Sequence, residues 1–287
     1  MIRKDLSRMT GRVIRLGHSP DPDDAFMFYG LTSGKVDPGP YRFEHILKDI
    51  QTLNEWALQG RLEVTALSLH AYAYVTDRYA LLPHGASIGD KYGPVVVARE
   101  ARSQEALRET TIAVPGRLTT AFLTLRVCLG EFPFVEIPFD QILPAVAEGR
   151  VGAGLLIHEG QLTYRQHGLA CALDLGAWWH ESTGLPLPLG ANAVRRDLGE
   201  PAVQELSRLL KASIRYGLEH REEALTYALQ FGRGMDRAAA DRFVEMYVND
   251  YTLDFGANGR RAVEVLLRMG WEEGVLPHRP AVRFAEA

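Results

Sequence analysis

The stretch G-P-V-V-V-A at residues 93–98 decides the fold. Its apolar, β-branched run is typical of a strand that is buried on both faces. A second strand-like run, L-P-L-G-A-N-A, occupies residues 187–193. If the chain crosses between two lobes at both runs, the first lobe is built from both ends of the chain. A central cleft then lies between the lobes, with a double hinge that would close it around a ligand.

The rest of the chain indicates α/β lobes. Short apolar runs alternate with amphipathic segments over residues 13–95 and again over 110–190. This alternation is typical of α/β proteins with parallel sheet, and the pattern from residue 200 onward predicts mainly helix. We therefore predict a first lobe from residues 1–95 and 193–287 and a second lobe from residues 96–192.

Composition excludes several classes of protein. The chain has 287 residues, 46% of them hydrophobic, and a net charge of −4 without a basic stripe, so a nucleic-acid partner is not expected. Its two cysteines form no C-x-x-C pair. The sequence has no run of about 18 apolar residues, so no membrane helix is predicted. The charged first residues do not resemble a secretory signal. Two cysteines are compatible with a reducing cytosol. The cleft would take a small-molecule partner, and the oligomeric state stays open.

Three aspartates surround two prolines in S-P-D-P-D-D, residues 19–24. Asp suits an N-cap, Pro suits the first helical position, and further acids suit the first turn. These rules explain Asp21, Asp23 and Asp24 as the start of a helix. The segment lacks the pattern of a calcium loop, so a metal site is not favoured. Because ligands bind at the carboxyl ends of parallel strands, substrate contact by Asp23 or Asp24 stays open.

Hydroxyl groups follow two further predicted strands. V-T-A-L-S at 64–68 ends in Ser68, which either binds a ligand or caps the next turn. P-G-R-L-T-T-A at 115–121 opens a helix, where free N–H groups and hydroxyls form a natural anion site. Capping by Thr119 explains the same segment equally well. At Ser68 and at residues 115–121, the sequence alone therefore leaves open whether the hydroxyl groups bind a ligand or cap the next helix or turn.

G-L-L-I-H-E-G at 154–160 is the segment most informative about chemistry. His158 directly follows an apolar strand, so its imidazole is placed to face a cleft, where it would serve as a general base. The alternative is a core histidine that is hydrogen-bonded to backbone. The segment is not H-E-x-x-H, because Leu162 stands where the second histidine would be.

Cofactor motifs are missing from the sequence. Neither a phosphate-binding loop nor a G-x-G-x-x-G segment that opens a helix is present. The sequence therefore does not predict a nucleotide cofactor. Trp178 and Trp179 are expected to lie in a loop, either as packing residues or as a lid over the ligand.

Four segments, taken together and in this order, resemble the 1,4-dihydroxy-6-naphthoate synthase family of the futalosine pathway to menaquinone. They are S-P-D-P-D-D-A-F, T-A-L-S-L-H-A-Y, P-G-R-L-T-T-A and L-I-H-E-G-Q-L-T-Y. The resemblance extends from about residue 13 to residue 196 and continues more vaguely through the helical C-terminal part.

The resemblance implies a type II periplasmic-binding-protein-like fold that works as an enzyme in the cytosol. The implied reaction converts cyclic dehypoxanthine futalosine to 1,4-dihydroxy-6-naphthoate without a metal or organic cofactor, with His158 as catalytic base. It also implies substrate contacts on the T-A-L-S and T-A segments. With the residues argued above, the candidate substrate-binding set is Asp23, Asp24, Ala66, Leu67, Ser68, Thr119, Thr120 and Ala121.

One departure separates this chain from the family. The family's first motif usually reads S-P-C-P-N-D-T-F, and here Asp21, Asp23 and Ala25 replace Cys, Asn and Thr. We expect Asp21 to be harmless at the helix cap. Asp23 replaces an amide that can donate a hydrogen bond, whereas a carboxylate only accepts unless it is protonated. Two alternatives therefore stay open: a chorismate-dehydratase-like enzyme of the same fold, and a ligand-binding protein without catalysis.

Overall fold

The computed structural model describes residues 11–232 and 234–285. The first ten residues, which we expect not to be a secretory signal, lie outside these ranges. Within the described ranges, no helix is long and apolar enough to cross a membrane.

The first of the two sheets combines strands that come before and after the second sheet in the chain. It is formed by β1 (Arg12–His18), β2 (Tyr41–Leu47), β3 (Val64–Ser68), β4 (Tyr79–Leu81), β5 (Ser87–Gly89) and β11 (Leu187–Arg195). The strand order is β2-β1-β3-β11-β4, and β5 pairs with β11. Strands β1, β2 and β3 run parallel, whereas β11 is antiparallel to β3, β4 and β5.

The second sheet comes from the middle of the chain. It is formed by β6 (Val95–Ala98), β7 (Ile112–Val114), β8 (Phe134–Glu136), β9 (Ala153–Leu156) and β10 (Ala170–Asp174). The order is β10-β6-β9-β7-β8. Strand β7 runs parallel to β8 and β9, and β6 is antiparallel to β9 and β10.

Helices pack against both sheets. They are α1 (Pro22–Thr32), α2 (Ile50–Leu58), α3 (Leu69–Tyr72), α4 (Gln104–Arg108), α5 (Thr120–Leu129), α6 (Phe139–Ala147), α7 (Gly160–Thr163), α8 (Leu175–Thr183), α9 (Glu200–Glu219), α10 (Arg221–Ala228), α11 (Arg237–Tyr247), α12 (Asp250–Leu253) and α13 (Gly256–Glu272). Short 3₁₀ turns lie at Tyr164–His167, Arg196–Leu198 and Leu229–Phe231.

The chain passes between the sheets twice, once between β5 and β6 and once between β10 and β11. The two passages lie close together. Gly93 is in the first passage, and a Cβ added to it would lie 3.3 Å from Gly176 in the second and 2.9 Å from the side chain of Leu187, where β11 begins. This confirms the predicted two-lobed α/β architecture. Strand β11 pairs throughout with strands of the first sheet, and the exact division of the lobes, like the double hinge, stays a prediction.

Helix α1, which carries the aspartates, is anchored by the C-terminal helices. Its Phe26 is wholly buried against an apolar cluster that includes Ile214, Leu225 and Val244. Gly217 permits the close approach, because a Cβ there would lie 2.8 Å from the Phe26 carbonyl oxygen. Since packed interiors tolerate little displacement, the start of α1 is held firmly against the end of β1.

The prediction of a loop around the two tryptophans was wrong. Trp178 and Trp179 lie in α8, which begins where Asp174 accepts hydrogen bonds from the first-turn N–H groups and ends at Gly184 in the left-handed conformation. Trp179 is fully buried and donates its indole N–H to the carbonyl of Pro186. Trp179 is therefore a packing residue, and it does not line the cavity described below.

Candidate active site

A cavity of about 740 Å³, including its open mouth, lies between the two sheets. It is lined on the first-sheet side by the loop after β1, the end of β3 and part of β11, and on the second-sheet side by the start of α5 and the residues after β9. We call it the central cavity. It brings together all of the sequence-predicted site residues: Asp23, Asp24, Ala66, Leu67, Ser68, Thr119, Thr120, Ala121 and His158.

The loop after β1 uses its aspartates differently from the capping prediction. Asp24 braces the loop, because one carboxylate oxygen accepts hydrogen bonds from the Ser19 backbone N–H at 2.7 Å and from its hydroxyl at 2.8 Å. Asp21 occupies the N-cap position of α1, but its side chain makes no capping hydrogen bond. Its Oδ2 lies 3.3 Å from Nδ1 of His158. Asp21 therefore lies at the predicted helix start, but the prediction that its side chain caps the helix was wrong.

The carboxyl groups of this loop change one another's ionisation. Burial, with the charges of Asp24 and Asp21, raises the pKa of Asp23 well above its usual value. Burial also raises the pKa of Asp24 to about 7, although the hydrogen bonds from Ser19 favour its charged form. Because Ser19 stabilises the charge on Asp24, we assign the proton of this pair to Asp23. As a neutral acid Asp23 can donate a hydrogen bond into the central cavity, as an amide would.

His158 is held between a carboxylate and an aromatic ring. It follows β9 after one residue, and its side chain is 12% exposed. The ring of Phe139 packs against the imidazole edge-on, with the centroids 4.3 Å apart. Nε2 is buried and has no hydrogen-bond partner among the described residues. The imidazole therefore presents a nitrogen that is not engaged by the protein, on a residue that lines the central cavity.

Ser68 is fixed by a partner that sequence reasoning missed. Its backbone N–H donates to Oδ1 of Asn54 at 2.9 Å, and its hydroxyl accepts from Nδ2 of Asn54 at 3.0 Å. Ser68 makes no side-chain cap on α3, so the capping alternative is wrong. Asn54 is wholly buried in α2, and its Nδ2 also lies 3.3 Å from the Leu118 carbonyl in the second-sheet half of the chain.

The two threonines at the start of α5 hold the protein's own backbone. Thr119 caps the helix by accepting from the Phe122 N–H, as one of the sequence alternatives proposed. The hydroxyl of Thr120 accepts from the Leu69 N–H at 2.8 Å and donates to the Leu189 carbonyl. Both residues line the central cavity, but their hydroxyls are engaged within the protein.

Asn192 is a further cavity residue that sequence reasoning missed. It lies in β11 opposite Ala66, and it is 1% exposed. Its Nδ2 has no hydrogen-bond partner among the described residues, and the residue lines the central cavity. Because a buried amide without a partner is costly, a bound ligand is the natural acceptor for this donor. An asparagine within an otherwise apolar strand-like run is the signal that would have found it.

Asp21, His158 and Glu159 place three possible metal-donor atoms within 4.8 Å of one another. Two carboxylates and one imidazole would suit a divalent transition metal. The contact between Asp21 and His158 is also what an ion pair gives, so this spacing alone does not identify a metal site. The expectation of no metal and no cofactor stays a prediction.

Two sheets joined by two passages, with a cavity between them, define a fold of the periplasmic-binding-protein class. The alkanesulfonate-binding protein of Xanthomonas axonopodis pv. citri superposes with a TM-score of 0.71 over 94% of this chain and 96% of its own. Sequence identity is 14%, so this likeness concerns the fold alone. A crystal structure from Archaeoglobus fulgidus is much more similar, with a TM-score of 0.88 and 49% identity over 92% of this chain and 98% of its own.

The sequence comparisons are more specific. Residues 14–272 match the family model described as menaquinone biosynthesis. A Thermus thermophilus protein named 1,4-dihydroxy-6-naphthoate synthase is 46% identical over 94% of this chain and 98% of its own length. A Streptomyces coelicolor protein with the same name is 38% identical over 94% of this chain and 96% of its own length. The chain belongs to the menaquinone biosynthesis family, and the resemblance to the naphthoate synthases is confirmed.

Proposed function

We propose that the protein is a carbon–carbon lyase that converts cyclic dehypoxanthine futalosine to 1,4-dihydroxy-6-naphthoate. The observation that carries the proposal is the unengaged Nε2 of His158 at a cavity lined by every predicted substrate-binding residue. The similarity to two proteins named as this synthase supports the same reaction. The proposal includes a cytoplasmic location and a small-molecule substrate, both of which follow from the family resemblance.

The proposed chemistry begins with a proton transfer. The substrate offers a hydrogen α to a carbonyl group, and neutral imidazole at Nε2 of His158 accepts that proton. The electron pair of the enolate then breaks a carbon–carbon bond to the sugar-derived part of the substrate, whose fragment leaves as the second product and takes the proton back from the imidazolium of His158. The remaining ring carbons become the aromatic product. Donors that face the cavity stabilise negative charge on the substrate as it develops. The proposed donors are the protonated carboxyl of Asp23 and the amide of Asn192.

The direct test is a mass-spectrometric assay. Purified protein is incubated with cyclic dehypoxanthine futalosine in the presence of a metal chelator, and we expect 1,4-dihydroxy-6-naphthoate to form. Folded protein that forms no product would contradict the proposal. The departures at Asp21 and Asp23 favour one alternative, an enzyme of the same fold that acts on another carboxylated substrate. Chorismate is therefore the second compound to assay.

Ionisation of the Asp23 carboxyl group is expected to end the activity at high pH. Because the active form is the protonated acid, activity is present below the raised pKa of Asp23 and is lost as the pH rises through it. Above that midpoint kcat/KM should fall about tenfold per pH unit, as for one ionisation. The Asp23→Asn variant keeps a donor and cannot ionise, so its activity should persist at higher pH.

The measurement is kcat/KM against pH for the wild type and Asp23→Asn. Asp77→Asn is the matched control, because Asp77 is exposed and does not line the central cavity. Its profile should match that of the wild type. An alkaline limb at the same pH in Asp23→Asn and the wild type would show that Asp23 is not the group responsible.

A further inference from the structure

Asp21 and His158 form a pair between the two halves of the fold. Asp21 precedes α1 on the first-sheet side, and His158 follows β9 on the second-sheet side. The side chains are 4% and 12% exposed, and Oδ2 of Asp21 lies 3.3 Å from Nδ1 of His158. Both residues line the central cavity. Two buried, ionisable side chains thus meet at the place where the proposed chemistry occurs.

The carboxylate decides which imidazole nitrogen carries the proton. A neutral imidazole has one N–H and one acceptor nitrogen, and a carboxylate beside Nδ1 favours the proton at Nδ1. Nε2 is then the acceptor, and it is the nitrogen without a partner among the described residues. A base needs its lone pair aimed at the substrate, so this tautomer is the productive one. The Phe139 ring limits rotation of the same imidazole.

Helix capping does not account for the carboxylate at residue 21. Its side chain makes no capping hydrogen bond, and the bracing of the loop is done by Asp24 and Ser19. The family motif usually has cysteine at this position, whose thiol is a weak hydrogen-bond acceptor. Aspartate here is therefore a feature of this chain that helix capping does not explain.

We propose that Asp21 is a positioning residue, which holds the imidazole of His158 with Nδ1 protonated and Nε2 toward the substrate. The inference rests on the proposed function, because it assumes that His158 is the base. Asp21 acts through His158, as the partner of a ligating or catalytic histidine does in other enzymes. Its removal should therefore lower kcat and leave KM nearly unchanged.

The kinetic test compares Asp21→Ala, Asp21→Asn and the wild type. Asp21→Ala should lower kcat by about 10–100-fold, with KM changed by less than about threefold. Asp21→Asn should also lower kcat, because its amide NH2 can turn to donate to Nδ1, which places the imidazole proton on Nε2. Asp236→Ala is the matched control, since Asp236 is an exposed aspartate that caps α11 by accepting from the Ala239 N–H. Its kcat should equal that of the wild type.

A spectroscopic test does not depend on the reaction. Nitrogen NMR of the protein labelled at histidine distinguishes an imidazole protonated at Nδ1 from one protonated at Nε2, and a His158→Gln variant assigns the signal. We expect the Nδ1–H form in the wild type and a shift toward the Nε2–H form in Asp21→Ala. The wild-type tautomer in Asp21→Ala, or an unchanged kcat, would overturn the proposal.

The two tests separate the possible failures. If the wild type has no activity on the proposed substrate, the proposed function fails while the NMR result still decides the pairing. If Asp21→Ala does not fold, Asp21→Asn and Asp21→Cys, which restores the usual residue of the family motif, carry both measurements. In Asp21→Cys no carboxylate lies beside Nδ1, so we expect His158 to populate both tautomers. We also expect kcat to be lowered as in Asp21→Ala.

Discussion

Replacing His158 with alanine is expected to lower kcat by about 10²–10⁴-fold, the range that a positioned general base contributes. KM should change little, because the imidazole acts on the substrate in the transition state while other groups line most of the central cavity. His158→Gln should lose a similar factor, since an amide fills part of the space but does not accept the proton. Steady-state kinetics with cyclic dehypoxanthine futalosine measure both constants.

The control for this result is His167→Ala. His167 belongs to the same half of the fold, follows β9 like His158, and is exposed. Its removal should leave kcat unchanged, whereas circular dichroism should show that all variants are folded. Turnover by His158→Ala close to the wild-type rate would rule out His158 as the base. The second candidate function, an enzyme with a different substrate, would then need a different proton acceptor.

The placement of the predicted site could be inferred from the sequence because the signals are local. A buried strand is visible as a short apolar run, and the residue after its carboxyl end is fixed by the chain itself. This is why His158 was predicted to face a cleft and Ser68 was a candidate to bind a ligand, and both line the central cavity. Thr120 was a candidate through the family resemblance, and it lines the cavity as well. Their roles in catalysis stay predictions. The boundaries of α1 and β2 follow equally local rules, namely the proline at the helix start and alternation along the strand.

What the sequence could not supply is the identity of distant partners. The helix-start rules explain Asp21 without His158, because the two residues are far apart in the chain and no local propensity joins them. The same holds for the bond between Thr120 and Leu189. The helix around Trp179 is a different case, since Asp174 and Gly184 are cap signals that were present in the sequence. These two caps indicate a helix across the tryptophans, where a loop was predicted.

Replacing Asn54 with leucine is expected to lower the free energy of unfolding by roughly 2–5 kcal/mol, because each buried polar group left without a partner costs about 1–3 kcal/mol. The amide makes a reciprocal pair with the Ser68 N–H and hydroxyl, and it also donates to the Leu118 carbonyl. Leucine has a similar size but forms no hydrogen bond. The Ser68 N–H would then be buried without its acceptor.

Urea unfolding of both proteins measures this difference, provided that the slope with urea concentration is unchanged. Asn258→Leu is the matched control, because Asn258 is an exposed helical asparagine in α13 and its replacement should change the unfolding free energy by less than about 0.5 kcal/mol. Since Asn54 joins Ser68 on the first-sheet side to Leu118 on the second-sheet side, its loss should also raise KM. Equal unfolding free energies in Asn54→Leu and Asn258→Leu would mean that solvent replaces the hydrogen bonds of Asn54. Ser68 would then not depend on Asn54 for its position at the cavity.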